Sequence, residues 1–165
     1  MPRTKIEKKA ILEKVEGIVK DAASLVFVNF HGLKVGDTVE VRRQLRKESV
    51  GFFVAKKSLT RKALEGEGKK ITGTMPELNG ELGLAYGKDL IAPAREVHEF
   101  QKKFKGSITI LGGVFEGKYM SQAEMMAIAL IPTEKTLRAM FVNVINSPIQ
   151  GFVMALSEIG KKKTA

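Results

Sequence analysis

Ser24-Leu-Val-Phe-Val-Asn-Phe30 is the stretch on which the fold turns. Its β-branched and aromatic residues read as a strand. On its N-terminal side Ile6, Ala10, Val15, Ile18, Val19 and Ala22 recur at helical spacing with charges between them, which predicts an amphipathic helix. On its C-terminal side Asp37 and Glu40 have the spacing of a capping box. They are read as opening a helix that turns Val41 and Leu45 inward and Arg42, Arg43, Arg46 and Lys47 outward, ending at Gly51.

The same alternation continues down the chain. Residues 51–55 and 81–86 read as strands, 59–64 and 90–104 as helices, and 66–80, rich in Gly, Lys and Thr, as a loop or hairpin. A fourth strand, 107–111, is expected to end at Gly112-Gly113, and Ser121 with Glu124 marks a second capping box before a short helix. Strands alternating with helices predict an α/β (α+β) globular domain over residues 1–130, a small mixed sheet flanked by helices. Residues 131–165 are expected to form a long extended amphipathic helix after Pro132, with Leu137, Met140, Phe141, Val144, Ile145, Ile149, Phe152, Val153, Leu156 and Ile159 on one stripe.

Composition narrows the partners. Lys and Arg total 28 against 18 Asp and Glu, a net charge of +10, which attracts polyanions. Residues 31–70 hold eleven of the cations (Lys34, Arg42, Arg43, Arg46, Lys47, Lys56, Lys57, Arg61, Lys62, Lys69, Lys70) and five acids, so most of the excess is local. Arg42 and Arg46 are one helical turn apart, as are Lys57 and Arg61, a spacing suited to neighbouring phosphates. Few aromatic residues stand at stacking positions, so the expected mode is recognition of RNA shape and backbone. With no Cys and two His, a thiolate or histidine-rich metal site is excluded. No cofactor is expected. The charged N-terminus lacks the apolar core of a secretory signal, and no apolar run is read as approaching the roughly 18 residues of a membrane span, so the chain is expected to be cytosolic.

Gly112-Gly-Val-Phe-Glu-Gly117-Lys118-Tyr119 matches a phosphate loop except at its end, where Tyr119 replaces the compact hydroxyl that would hold Mg²⁺. A nucleotide-binding enzyme is therefore the minor alternative, and no catalytic constellation forms around His31 or His98. The C-terminal helix points instead to a binding role. At about 1.5 Å per residue, its 26 or so residues span about 39 Å, longer than the domain before it. Its ten large apolar side chains carry a gross burial term on the order of 15 kcal/mol, enough to demand a covering partner. Leu137, Met140, Phe141 and Val144 recur as Ile149, Phe152, Val153 and Leu156, with Pro148 between, so two partner copies are expected. A third reading is an RNA-binding regulator whose helix lies on a membrane surface.

The chain resembles the bacterial large-subunit ribosomal protein ten family, the stalk-base proteins. The resemblance rests on Ser24 to Leu33, the basic helix after it, Val54-Ala-Lys-Lys-Ser-Leu59 leading into Arg61-Lys62, and the helix after Leu130-Ile-Pro132. It implies a cytoplasmic, non-enzymatic ribosomal component. Its domain would bind large-subunit rRNA beside a neighbouring RNA-binding stalk-base protein, and its helix would anchor dimers of the acidic stalk protein that recruit translational GTPases, with no membrane partner. By the same resemblance Lys56, Lys57, Ser58, Arg61 and Lys62 would face RNA. The family commonly carries Lys-Asn-Thr or Lys-Asn-Ser where this chain has Lys56-Lys57-Ser58, so an amide is replaced by a charge.

Overall fold

A computed structural model describes residues 5–67, 71–104 and 106–164. Lys69 and Lys70, counted above in the basic stretch, lie outside the described residues, as do the side chains of the terminal lysines 162 and 163. The chain divides into two compact units, Met1–Ile131 and Pro132–Ala165.

In the first unit the elements run α1 (Lys5–Asp21), β1 (Ser24–Phe30), α2 (Val35–Lys47), β2 (Gly51–Val54), α3 (Lys57–Glu67), β3 (Leu82–Gly87), α4 (Ala92–Lys103), β4 (Ile108–Phe115), β5 (Lys118–Met120) and α5 (Gln122–Ala129). The strands form one sheet in the order β2-β3-β1-β4-β5, with β1 in the centre. Successive side chains of a strand point to opposite faces, and β1 buries both. Leu25 and Phe27 join Val15 of α1 and Ala63 and Leu64 of α3 in one core. Val26 and Val28 join Val41 and Leu45 of α2, Ala94, Val97 and Phe100 of α4, and Met125 and Ala129 of α5 in the other. Helices on both faces explain why the strand is an unbroken apolar run rather than an alternating one.

The α/β reading holds, but the sheet is antiparallel at every pairing of named strands, where a mixed sheet was expected. The reason lies in the crossovers. β1 and β2 run parallel across α2, and β3 and β4 run parallel across α4, yet each parallel pair is split by a strand antiparallel to both. This is the split βαβ arrangement, in which crossover helices and antiparallel hydrogen bonding coexist.

Three local readings need correction. First, α2 opens at Val35, with Lys34 as N-cap and no side-chain cap bond, so Asp37 lies inside the first turn. There its charge complements the helix N-terminus rather than capping it. Second, in α1 Ile11 packs on the core while Ile6 is exposed. Third, Gly112 and Gly113 do not end β4 but let it pass. The register slips between Phe27 and Val28, leaving Leu111 as the extra residue of a bulge. A Cβ on Gly112 (φ 148°) would meet the Met120 carbonyl oxygen at 2.7 Å, and one on Gly113 would meet that of Leu25 at 2.5 Å. The chain turns later, at Glu116 (φ 48°) and Gly117 (φ 74°), a two-residue left-handed hairpin turn that pairs Phe115 with Lys118. The phosphate-loop reading fails here, because that loop must lead from a strand into a helix and this one leads from strand to strand.

The second capping box is formed as its spacing predicts. The Ser121 backbone N–H and hydroxyl each donate to Glu124 Oε2 at 2.8 Å, and the Glu124 N–H donates to Ser121 Oγ at 3.5 Å. The backbone donor first, then the hydroxyl, hold the Glu124 carboxyl below its ordinary value. Because the folded value is depressed, the contribution is present above the unfolded pKa and lost as pH falls through the folded one. Thermal melts should therefore show wild type more stable than Glu124→Gln at neutral pH, with the difference vanishing in acid. A difference that stays constant with pH would mean the carboxylate is not its source.

Candidate nucleic-acid interface and partner helix

The cations that the sequence places side by side are separated by the sheet. α2 and α3 flank β2 in sequence but pack on opposite faces, α2 through Val41 and Leu45 and α3 through Ala63 and Leu64. The expected single basic surface is therefore two surfaces. On α2, Arg42, Arg43, Arg46 and Lys47 are exposed and line one shallow groove with Val39. The Arg42 guanidinium lies 5.9 Å above the Phe52 ring, and Phe52 meets Phe30 edge-on at 6.2 Å. This cation–π contact favours one orientation of the exposed Arg42 side chain.

On the other face, Lys56, Lys57, Ser58 and Lys62 line an open groove of 1120 Å³ whose wall also includes Phe30, Val54, Gly80, Glu81 and Leu82. Here α3 starts. The Leu59 and Thr60 amides both donate to the Lys56 carbonyl (2.9 and 3.1 Å), and the buried Thr60 hydroxyl does so at 3.4 Å, fixing the first turn. The earliest amides of a helix have no helical acceptor and point outward with partial positive charge, so lysines around such an N-terminus make an anion site of greater strength than either alone. Lys8 of α1 completes the groove. The sequence reading missed it, since its signal is not local: only the packing of α1 against α3 brings it there. Arg61, expected with this set, instead lines a neighbouring groove with Glu65, Met75, Pro76 and Tyr119. Glu81 is the one acid among the residues lining the lysine groove, and its Oε1 lies 4.0 Å from His31 Nδ1. Among the described residues no group of His, Asp and Glu could hold a metal ion.

The second unit is α6 (Glu134–Thr164), 31 residues that continue through Pro148. Proline fits there at the cost of one backbone hydrogen bond, leaving the Val144 carbonyl without its helical donor. Glu134 pairs with Arg138 one turn on. Leu137, Met140, Phe141, Val144, Ile145, Ile149, Phe152, Val153, Leu156 and Ile159 are all exposed, Phe141 at 67% and Phe152 at 66%. Two expectations change. The ten do not follow one straight stripe: at about 100° per residue, the arc from Leu137 to Ile145 and the arc from Ile149 to Ile159 have different centres. In addition, the helix is long and apolar enough, by length and composition, to cross a membrane. Counting unbroken apolar runs overlooked this, because the interruptions Asn143, Asn146, Ser147 and Gln150 are uncharged.

Comparison with known proteins gives the family. The family profile described as ribosomal protein L10 matches residues 3–102. Large ribosomal subunit protein uL10 of Bacillus licheniformis is 32% identical over 157 residues, covering 94% of this chain and 93% of its own. That of Burkholderia ambifaria is 33% identical over 165 residues, covering 100% and 98%. That of Shouchella clausii is 34% identical over 158 residues, covering 95% and 93%. With a profile match over most of the first unit and relatives aligned along nearly the whole length, the chain belongs to the ribosomal protein L10 family, structural and non-enzymatic components of the large ribosomal subunit in the cytoplasm.

Proposed function

We propose that the first unit grips a folded segment of large-subunit rRNA and that α6 anchors dimers of an acidic stalk protein, one dimer on each half of the helix. In this role the protein forms the base of the stalk, beside the neighbouring RNA-binding stalk-base protein. One observation carries the reading: ten large apolar side chains stand exposed along α6, a surface that aggregates unless another chain covers it. The RNA grip rests on the lysine groove at the start of α3, with Lys8, Lys56, Lys57, Ser58 and Lys62 around it. Arg61 and the α2 cations Arg42, Arg43, Arg46 and Lys47 are further phosphate contacts. The mechanism is tethering: phosphate contacts fix the base, and the helix raises the local concentration of the factors that its partners recruit.

Truncation after Leu130 tests the division of labour. The expected product keeps salt-sensitive rRNA binding and no longer co-purifies with an acidic protein. Loss of both properties, or of neither, would overturn the proposal. A membrane-surface role has one observation in its favour, the length and apolar composition of α6. The family argues for the protein partner, and flotation of the full chain with anionic liposomes would reverse that choice.

A further inference from the structure

The two edges of the sheet are finished differently. At β5 the edge is closed, since the Thr72 amide donates to the Gly117 carbonyl and the Tyr119 amide to the Thr72 carbonyl, both at 2.9 Å. At β2 it is open: among the described residues no strand lies beyond it, and no loop bond reaches the backbone of Phe52 or Val54. Those two residues are the ones whose backbone faces outward. The Glu81 and Gly87 carbonyls accept from the β1 side, from the Phe30 and Ala23 amides. Backbone groups of successive residues point to alternate sides of a strand, so Leu84 and Tyr86 turn to β2, where they meet Phe53 and Gly51. Phe52 and Val54 therefore carry two N–H and two C=O groups away from the sheet, a template for pairing. We infer that the β2 edge takes an extended acidic polypeptide segment as an added strand.

Charge selects the occupant. Edge strands are usually blunted by a charge, a proline or a bulge within them, and Gly51-Phe-Phe-Val54 has none of these, with Val54 exposed. Cations stand around it instead. The Arg42 guanidinium lies 5.9 Å above the Phe52 ring, and Lys56 and Lys57 follow Val54 into the lysine groove. A second copy of the chain paired edge to edge would set these cations against their counterparts, and like charges across a strand pair destabilise it. RNA would satisfy the cations but offers no row of donors and acceptors at peptide spacing. An acidic strand does both. Its residue opposite Phe52 projects on the same face, where a carboxylate meets Arg42, and carboxylates beyond Val54 meet Lys56 and Lys57. These two lysines also belong to the rRNA grip proposed above, so strand and rRNA exclude one another there.

The probe is a ten-residue peptide of alternating Glu and Val, added to the full chain while amide hydrogen exchange is followed by NMR. In the free chain the Phe52 and Val54 amides should exchange faster than those of Gly51 and Phe53, which bond to β3. With peptide at ten times its dissociation constant, exchange at Phe52 and Val54 should slow about 10-fold. Val54→Pro removes an outward donor without touching the ladder to β3 and should weaken peptide binding about 10-fold, whereas Val54→Ala keeps the donor and should lose far less. A peptide with Lys in place of Glu should not bind at the same concentrations. Phe52 and Val54 amides already protected in the free chain would show that the edge is closed, and amides left unprotected by bound peptide would show that charge alone holds it. Either result overturns the inference, as does equal binding of the Lys peptide. A uridine 10-mer that slows the same two amides would give the edge to nucleic acid instead. Each of these outcomes leaves the anchoring role of α6 untouched.

Discussion

Lys57→Glu combined with Lys62→Glu is expected to lower affinity for large-subunit rRNA, the proposed partner, by about 100-fold or more at moderate salt. Each side chain is exposed and lines the groove at the start of α3, so neither substitution disturbs the core. A hydrogen bond to a charged group contributes about 1.5 kcal/mol or more, and two of them amount to about 3 kcal/mol, or about 100-fold. Repulsion between the new carboxylates, Glu81 and the RNA backbone adds to the loss. Because each phosphate neutralised accounts for about 0.9 of the slope of log K against log salt, that slope should fall by about two. Filter binding across a salt series measures both quantities, with circular dichroism to confirm that the fold is kept. An unchanged affinity and slope would remove this groove from the RNA interface. The same reversal at Arg43 and Lys47 then measures what the α2 face contributes separately.

The elements were legible in the sequence because each carried its own period. β1, α2, β2, α3, β3, α4 and α5 all lie within a few residues of where spacing and turn chemistry put them, and the Ser121 capping box forms atom for atom. What remained illegible was pairing across distance. Nothing local in Leu82–Gly87 says that β3 inserts between β2 and β1, although that insertion makes the sheet antiparallel. Nor does anything local say that α2 and α3 pack on opposite faces, so cations adjacent in sequence became two surfaces rather than one. Gly112 and Gly113 illustrate the same limit. A glycine pair that ends a strand and one that lets a strand run close to its neighbour's backbone look alike until the neighbour is known. β5 is only three residues long and was missed for that reason. On α6 the ten apolar side chains are exposed, but their angular drift was not legible, since a drift accumulates over several turns and is invisible in any one of them.

Phe27→Ala is expected to be the most destabilising single truncation in the first unit. Phe27 is fully buried at the centre of the middle strand and packs in the core that holds α1 and α3 to the sheet. Removing a buried phenyl ring costs about 3–5 kcal/mol, against a total stability of about 5–15 kcal/mol for a domain of this kind. The melting temperature should fall by about 10 °C or more. The cavity opens on the α3 side, so the α3 groove should loosen before the α2 face does, because Val26 and Val28 still hold α2, α4 and α5. Hydrogen exchange would then show α3 amides losing protection ahead of those of α4, and rRNA affinity would drop with α3 order even below the melting point. Phe30→Ala supplies the comparison: it lies at the strand's end, is half-buried, and touches the groove directly, so it should cost less stability. If Phe27→Ala costs less than Phe30→Ala, the two-faced central strand is not what holds the domain together, and the placement of the lysine groove must have another cause.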